Sequence, residues 1–545
     1  MRLHRLLLVF FLQNALLGFS QVPCEFGTAA GYECKNIDFW SHVPPAVFGG
    51  GTTNEVWGWT DPLDGKEYVL LGTSSGVAFF DIELPDQPLY LGKLPTQTSN
   101  SLWRTLRVFN NHLFVGSEAN NHGLQVFDLT QLRNVFNPPA TFSNTAFYSG
   151  FGRCHTLTIH EPTGVLYACG TNTFSGGLHA VDISNPLSPQ ILGGFSEDGY
   201  THEAQVITYN GPDEDYQNEI IVFCYNGNAP ANLTIVKATD PTDISTISIT
   251  PYPNSAYCHQ GWLTADKKYL LMNDELDEYN GFSSQTRTLI WNVEDLDDPV
   301  YVGDFLHETE SIDHNLYVVD HLCYQSNYTA GLRVLDVQNI ADLDLEEVAF
   351  FDHFPDNNAA TFDGTWMHYP YFESGVIPVS DIDQGLFLVE LNLLHVDPIM
   401  QMVAQGENAY FQVVVSDGFS SEVNLSLTEI NGNEFDFTLN NAEAPYTSLL
   451  TISTASFPEG IYNFEVIGAA GTQEYRRSIQ MIVTVPTNYC ADIDENGVVG
   501  AGDWLLLNND WDCAQGCIGD INQDGQTNTL DLLILLEDYG SSCAP

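Results

Sequence analysis

Two short acidic stretches near the C-terminus carry the densest chemistry in the chain. One runs Asp492-Ile493-Asp494-Glu495-Asn496-Gly497-Val498-Val499-Gly500-Ala501-Gly502-Asp503, the other Asp520-Ile521-Asn522-Gln523-Asp524-Gly525-Gln526-Thr527-Asn528-Thr529-Leu530-Asp531. Each places oxygen-bearing side chains at positions 1, 3, 5 and 12 and glycine at position 6. That spacing wraps the backbone around a hard cation, to which the position-7 carbonyl (Val498 or Gln526) adds an oxygen. Calcium, which takes about six to eight oxygen ligands in flexible geometry, fits better than magnesium. Asn528 offers a side chain at position 9 of the second loop, whereas Gly500 leaves that place to water in the first. Carboxylates gathered in this way repel one another, so the segment is expected to fold poorly in chelator and to gain stability with calcium. An apolar helix is predicted after each loop, around Trp504–Leu507 and Leu532–Leu536.

A second set of reactive side chains recurs further upstream. Trp57, Arg104, His155, His202, His259, His314 and Trp366 follow one another at gaps of 47, 51, 47, 57, 55 and 52 residues. Their frames agree, as in Arg104-Thr105-Leu106, His155-Thr156-Leu157 and His314-Asn315-Leu316, and Glu203 stands directly after His202. Neutral imidazoles bind transition metals. The same set could act as general acids and bases, bind an anion or a sugar, or hydrogen-bond neighbouring units and close a ring without a ligand.

The elements that position them repeat about every 50 residues. Seven copies begin at Gly76, Gly123, Gly177, Leu233, Leu289, Gly331 and Gly385, each an alternating apolar strand such as Gly76-Val77-Ala78-Phe79-Phe80-Asp81. Further strands lie between them. Several short strands per copy, seven times over, predict a mainly β chain with a seven-bladed β-propeller over 22–395. One equivalent residue per blade then rings the axis, giving Trp57, Arg104, the four histidines and Trp366 a shared channel mouth. The repeat aspartates Asp81, Asp128, Asp182 and Asp336 are expected to cap strand-to-turn junctions, because Lys237 and Asn292 replace them in two copies.

Phe39-Trp40-Ser41-His42-Val43-Pro44, Trp57-Gly58-Trp59-Thr60-Asp61-Pro62, Gly123-Leu124-Gln125-Val126-Phe127-Asp128, Ser311-Ile312-Asp313-His314-Asn315-Leu316-Tyr317 and Val379-Ser380-Asp381-Ile382 resemble the choice-of-anchor B family, with its LVIVD-type repeats. The resemblance runs from roughly Cys24 to Leu394. It implies an exported propeller displayed by varied C-terminal devices, and it implies no catalytic residue.

From 396 to 485 the repeat stops, and alternating segments such as Tyr410–Val415, Val423–Leu427, Phe435–Leu439, Ser448–Ile452 and Tyr462–Val466 predict an immunoglobulin-like or fibronectin-like β-sandwich, read as a spacer. Over 486–545, loop followed by helix, duplicated and with Asp at position 12, resembles a type I dockerin. That resemblance implies Asp492, Asp494, Asn496, Val498 and Asp503 as ligands of one calcium, and Asp520, Asn522, Asp524, Gln526, Asn528 and Asp531 of a second. It also implies a cohesin-like or cell-surface docking partner. Positions 10 and 11, which choose the cohesin, are here Ala501-Gly502 and Thr529-Leu530 in place of the frequent Ser-Thr.

The charge balance narrows the partners. Against 71 acidic residues stand 16 basic ones, a formal net charge of -55 over 545 residues, and so negative a surface repels phosphate backbones. Nucleic acid is excluded; divalent cations, glycans or proteins remain as ligands. Arg2 and Arg5 ahead of the apolar run Leu6–Leu12 predict an export signal over 1–21, and no later stretch predicts a transmembrane helix. Export places the 11 cysteines in an oxidising compartment. Cys24 is expected to pair with Cys34, and the C-terminal module could be closed as Cys490–Cys513 and Cys517–Cys543. The other five are odd in number, so at least one buried free thiol is expected. The whole reads as a secreted, surface-associated binding or scaffold protein. The alternative is a secreted polysaccharide hydrolase or lyase using the histidine ring.

Overall fold

Short apolar runs whose side chains alternate between two faces, separated by Gly, Asn and Asp turns, fold as strands. The computed structural model describes residues 21–545 apart from 229, 356, 430–436, 440, 443, 485–490, 514–516, 524 and 543–545. Residues 1–20 of the expected export signal therefore lie outside the described residues. The chain is mainly β and divides into two compact units, one spanning Phe19–Asn392 and the other taking up the chain from Leu393.

Seven sheets built on antiparallel four-stranded cores make up the earlier unit. Their first strands are Thr53–Thr60, Arg104–Phe109, Leu157–His160, Glu203–Thr208, Cys258–Leu263, Asn315–Val319 and Thr365–His368. The last sheet takes its fourth strand, Ile37–Val43, from the N-terminal side of the unit, paired antiparallel with Gly385–Leu391. A bulge or register shift recurs between the third and fourth strands of six sheets, at Phe79/Phe80, Ala180/Val181, Ile235/Val236, Ile290/Trp291 and Val334/Leu335 on the third strand and at Phe39/Ser41 on the fourth strand of the last. Bulges deepen the right-handed twist, which lets successive sheets pack face to face.

The core lies between neighbouring sheets. Phe223 and Tyr225 of the fourth sheet share one cluster with Met272 and Trp291 of the fifth. Leu386 and Leu388 of the seventh share another with Val69 and Phe80 of the first. The repeat aspartates do what their position implies: Asp81, Asp128, Asp182 and Asp336 each accept from the backbone N–H two residues on, at 2.8–3.0 Å, and Asn292 does the same.

His179 shows how this core treats a buried polar group. It is fully buried, with Tyr148 Oη at 2.8 Å from Nε2 and Thr173 Oγ1 at 2.7 Å from Nδ1. Burial pushes its imidazole down to about 4. The unfolded chain takes up that proton below a pH of about 6.5 and the folded one does not, so wild-type stability falls by about 1.4 kcal/mol per pH unit from this residue alone between those limits. His179→Gln removes that dependence. Its stability deficit at pH 8 is expected to narrow by about 2 kcal/mol at pH 5 in urea unfolding; a deficit that does not change with pH would contradict this.

In the later unit, the strands from Leu394 to Thr484 form two four-stranded sheets. The expected boundary at 395/396 moves to Asn392/Leu393, because Leu394–Asp397 already pairs with Asn408–Val415. Of the strand expected at Phe435–Leu439, only Phe437–Thr438 lies in a described strand. Met400–Ala404, which runs parallel to Gln473–Thr484, was not legible as a strand. Two helices follow, Ala501–Asn509 and Thr529–Asp538, over a small core of Ala491, Val499, Leu507, Ile521, Ile534 and Leu535.

Candidate functional site

The first strands of the third to seventh sheets deliver five of the expected side chains to one place. Ring centroids of His155 and His202 are 4.0 Å apart, of His202 and His259 4.2 Å, of His259 and His314 4.5 Å, and of His314 and Trp366 5.2 Å. They line a cavity of about 30 Å³ together with Glu203, Arg104 and Glu55. A sugar-binding pocket is roughly ten times larger, whereas this volume suits an ion or one or two waters.

The outer ring nitrogens fix the tautomers. Nδ1 of His202 faces the His259 carbonyl at 3.2 Å, and Nδ1 of His314 faces the Trp366 carbonyl at 2.6 Å. A carbonyl only accepts, so both Nδ1 atoms carry the proton and both Nε2 atoms present a lone pair. Nδ1 of His155 is tied in the same sense to Glu118 at 2.6 Å. Burial, reinforced by the adjacent imidazoles, holds His202 and His259 well below the ordinary histidine range, and burial takes His314 down to about 3. These three rings are neutral.

Opposite them stands a carboxylate that spacing did not reveal. Glu275 lies in the turn after the strand Tyr269–Asp274 and approaches Nε2 of His259 at 3.8 Å and Nε2 of His314 at 3.7 Å. Tyr328 donates to it at 2.7 Å. Burial pushes Glu275 up to about 7, against the opposing pull of that hydrogen bond. Donor atoms of His202, His259 and Glu275 all lie within 4.8 Å of one another. Glu275 follows no repeat, so only the chain's return to the axis identifies it.

Two expected ring members sit differently. Arg104 lines the cavity, but its guanidinium is committed to Thr73 O at 3.0 Å, Thr96 Oγ1 at 2.9 Å and His122 Nε2 at 3.0 Å. Trp57 is not in the ring. The residues after Arg104 and His259 each accept an N–H from the next sheet, Thr105 from Leu157 and Gln260 from Leu316, and Glu55 accepts in the same way from Leu106. Asn54 therefore holds the first sheet's ring position, and a bulge between Thr53 and Val56 hides the register from residue counting. Trp57 belongs to a deeper layer with Tyr369 at 5.1 Å, Tyr317 at 6.2 Å and the Arg107 guanidinium at 4.2 Å. Arg107 in turn bridges Glu55 and Glu203, the latter at 3.2 Å. Burial outweighs that ion pair and raises Glu203 to about 7.

At the C-terminus the two acidic loops repeat one geometry. Asp503 accepts from Asp494 N–H at 2.9 Å and Gly500 N–H at 2.7 Å; Asp531 accepts from Asn522 N–H at 3.0 Å and Asn528 N–H at 2.9 Å. In each loop the position-6 glycine donates to the first aspartate, Gly497 to Asp492 at 2.7 Å and Gly525 to Asp520 at 2.9 Å. Carboxylate oxygens of Asp492, Asp494 and Asp503 lie within 4.8 Å of one another, and Asp503 and Asp531 are fully buried. Converging hard oxygens of this kind fit calcium. Asn496 faces solvent at the loop's position 5, accepting from Val498 N–H, and Gln526 is exposed; Asp524 lies outside the described residues.

Cys24 and Cys34 are bonded as expected. The expected Cys490–Cys513 and Cys517–Cys543 pairing is corrected: Cys513 bonds Cys517, four residues on, because the turn after the helix Ala501–Asn509 brings their Cα atoms to 5.6 Å. Cys490 and Cys543 lie outside the described residues. Cys154, Cys169, Cys224, Cys258 and Cys323 are all free and buried. No helix among the described residues is long and apolar enough to cross a membrane.

No family model and no curated protein matches the chain. Among solved structures it is similar to a WD40 domain of Toxoplasma gondii coronin, at 12% identity and TM-score 0.40 over 62% of this chain and 80% of that one. It is also similar to the computationally designed Ika8 protein, at 12% identity and TM-score 0.39 over 65% and 93%. A functionally unknown protein from Desulfotomaculum acetoxidans DSM 771 matches at 9% identity and TM-score 0.38 over 61% and 89%.

Proposed function

We propose that this chain is an exported, surface-associated binding protein: a seven-bladed β-propeller of the choice-of-anchor B type, an immunoglobulin-like spacer, and a dockerin-like module that docks it through two calcium ions. The observation that carries this reading is the duplicated loop geometry, in which Asp503 and Asp531 close their loops through the same pair of backbone donors. Each of these buried aspartates gathers backbone N–H donors at the start of a helix, which holds its carboxylate in place for a cation bound by the loop's other oxygens. The seven sheets, with the last completed by Ile37–Val43, support the blade count.

At the propeller axis the ligand is a small one. The lone pair on Nε2 of His314 faces the Glu275 carboxylate at 3.7 Å, with Nε2 of His259 at 3.8 Å from the same group, an arrangement suited to a proton or a metal ion between its members. Imidazole donors favour a transition metal such as zinc, and the carbonyls behind His202 and His314 supply the outer hydrogen bonds that orient such ligands. The cavity volume speaks against a saccharide substrate there.

Hydrogen exchange on the full chain tests the calcium reading. Calcium at about 100 times its dissociation constant is expected to slow exchange in Ala501–Asn509 and Thr529–Asp538 by about 100-fold relative to EDTA. An Asp503→Ala and Asp531→Ala double variant is expected to exchange fast in both conditions. Helices equally protected with and without EDTA would overturn the proposal.

A further inference from the structure

Beside the histidine ring, but turned away from it, the earlier unit buries three carboxylates together. Oxygens of Asp277, Glu278 and Asp313 lie within 4.8 Å of one another, and the three residues are 0%, 6% and 0% exposed. Asn273, fully buried, donates through Nδ2 to Asp313 Oδ2 at 2.8 Å. Among the described residues, Arg287 supplies the one cation in direct contact, donating from Nε to Asp277 Oδ2 at 2.5 Å; its backbone N–H goes to Glu278 Oε1 at 2.8 Å. Three carboxylates against one guanidinium cannot all be ionised in the interior without further positive charge, and burial with mutual repulsion pushes Glu278 up to about 12 and Asp313 well above the carboxylate range.

The remaining oxygens say where the compensation belongs. Asp277 Oδ1, Glu278 Oε2, Asp313 Oδ1 and Asn273 Oδ1 are all buried without a hydrogen-bond partner. Buried acceptors left in this way are rare, and three on one carboxylate cluster, with a fourth on the amide that holds Asp313, mark a missing positive partner. The three converging donors are hard carboxylate oxygens, the kind calcium prefers, and Asn273 orients one of them. Imidazoles and thiols take no part in the cluster.

We infer that Asn273, Asp277, Glu278 and Asp313 form a third hard-cation site, for calcium, inside the earlier unit and independent of the C-terminal loops. Its place in the fold gives it a task. Asn273 lies near the end of the strand Tyr269–Asp274, Asp277 and Glu278 lie in the turn that follows, and Asp313 precedes the first strand of the next sheet. The turn between Asn273 and Asp277 carries Glu275, and Asp313 is joined directly to His314. A cation there pins both elements and so positions Glu275 against His259 and His314. These four residues are positioning residues for the ring, not part of it.

The test is hydrogen exchange over 274–282 in the full chain, with calcium chloride as the probe against EDTA. Calcium at about 100 times its dissociation constant is expected to slow exchange there by about 100-fold. The effect is expected to persist in Asp503→Ala with Asp531→Ala, which separates this site from the C-terminal loops. It is expected to vanish in Glu278→Gln with Asp313→Asn. That variant removes the repulsion with amides of the same shape, so without calcium it should melt at or above the calcium-free wild type, which shows that it is folded. Exchange over 274–282 that ignores calcium in the wild type overturns the inference and assigns the charge balance to protons. Sensitivity that survives in Glu278→Gln with Asp313→Asn overturns it too.

Discussion

Zinc added to the full chain is expected to be retained at one equivalent by the earlier unit through gel filtration, and His202→Ala with His259→Ala is expected to abolish that retention. The reason is geometric. Donor atoms of His202, His259 and Glu275 lie within 4.8 Å of one another, and Nε2 of His314 is 3.7 Å from the same carboxylate. A tetrahedral ion with bonds of about 2.0–2.1 Å holds its donors about 3.3–3.4 Å apart, so Nε2 of His259 and His314, at 3.8 and 3.7 Å from Glu275, need move only slightly, and His202 somewhat more. The rings of His202 and His314 are neutral and their Nδ1 protons are already committed outward, so metal binding need not first strip a proton from them. Loss of an outer-shell partner costs a metal site roughly 10–100-fold in affinity, and removing two ligands should cost more. Cobalt(II) offers a second readout, since tetrahedral ligation by nitrogen and oxygen gives it visible absorption that the double variant should lack. Zinc retained undiminished by the double variant would refute the site, as would a wild type that holds none.

Arg107→Met is expected to destabilise the protein by about 3–5 kcal/mol, the cost of stranding buried charge. Arg107, Glu55 and Glu203 expose less than a tenth of their side chains, and the guanidinium lies 4.2 Å over the Trp57 ring. Without it, two carboxylates face each other in the interior. Replacing the whole triad, with Glu55→Gln and Glu203→Gln added, should recover most of the loss. The repulsion leaves with the charges, and the amide oxygen introduced by Glu55→Gln can still accept the Leu106 N–H. The pH dependence has a definite sign. Glu203 stands at about 7 even beside Arg107, and losing the cation raises it further. A carboxyl raised in the folded state binds protons that the unfolded chain releases, so the deficit of Arg107→Met should be greatest well above pH 7 and narrow as the pH falls to about 7, below which both folded proteins hold the Glu203 proton. Urea unfolding at pH 8 and pH 5.5 checks both points; a variant as stable as wild type at pH 8 would remove Arg107 from its role.

What could be read from the sequence follows from how local each signal is. The shared geometry of the two acidic loops was legible because their oxygen-bearing side chains fall within twelve positions, so spacing alone determines which oxygens can converge. The repeat strands, the capping role of Asp81, Asp128, Asp182 and Asp336, and the Cys24–Cys34 bond were legible for the same reason. Four histidines and Trp366 could be aligned because each precedes or lies within the first strand of its sheet.

Where contacts depend on register or on distant segments, the sequence fell silent. A one-residue slip exchanges the faces of a strand, so the bulge between Thr53 and Val56 was enough to put Asn54 in the ring and Trp57 a layer deeper. Glu275, Arg107, Asp277 and Glu278 recur at no equivalent position in the other copies, and only the packing of adjacent sheets decides what they face. Residue types and their intervals determined which chemistries this protein carries. The tertiary structure alone decided which of those residues share a cavity and which carry buried charge, because burial and proximity are made by neighbours far away along the chain.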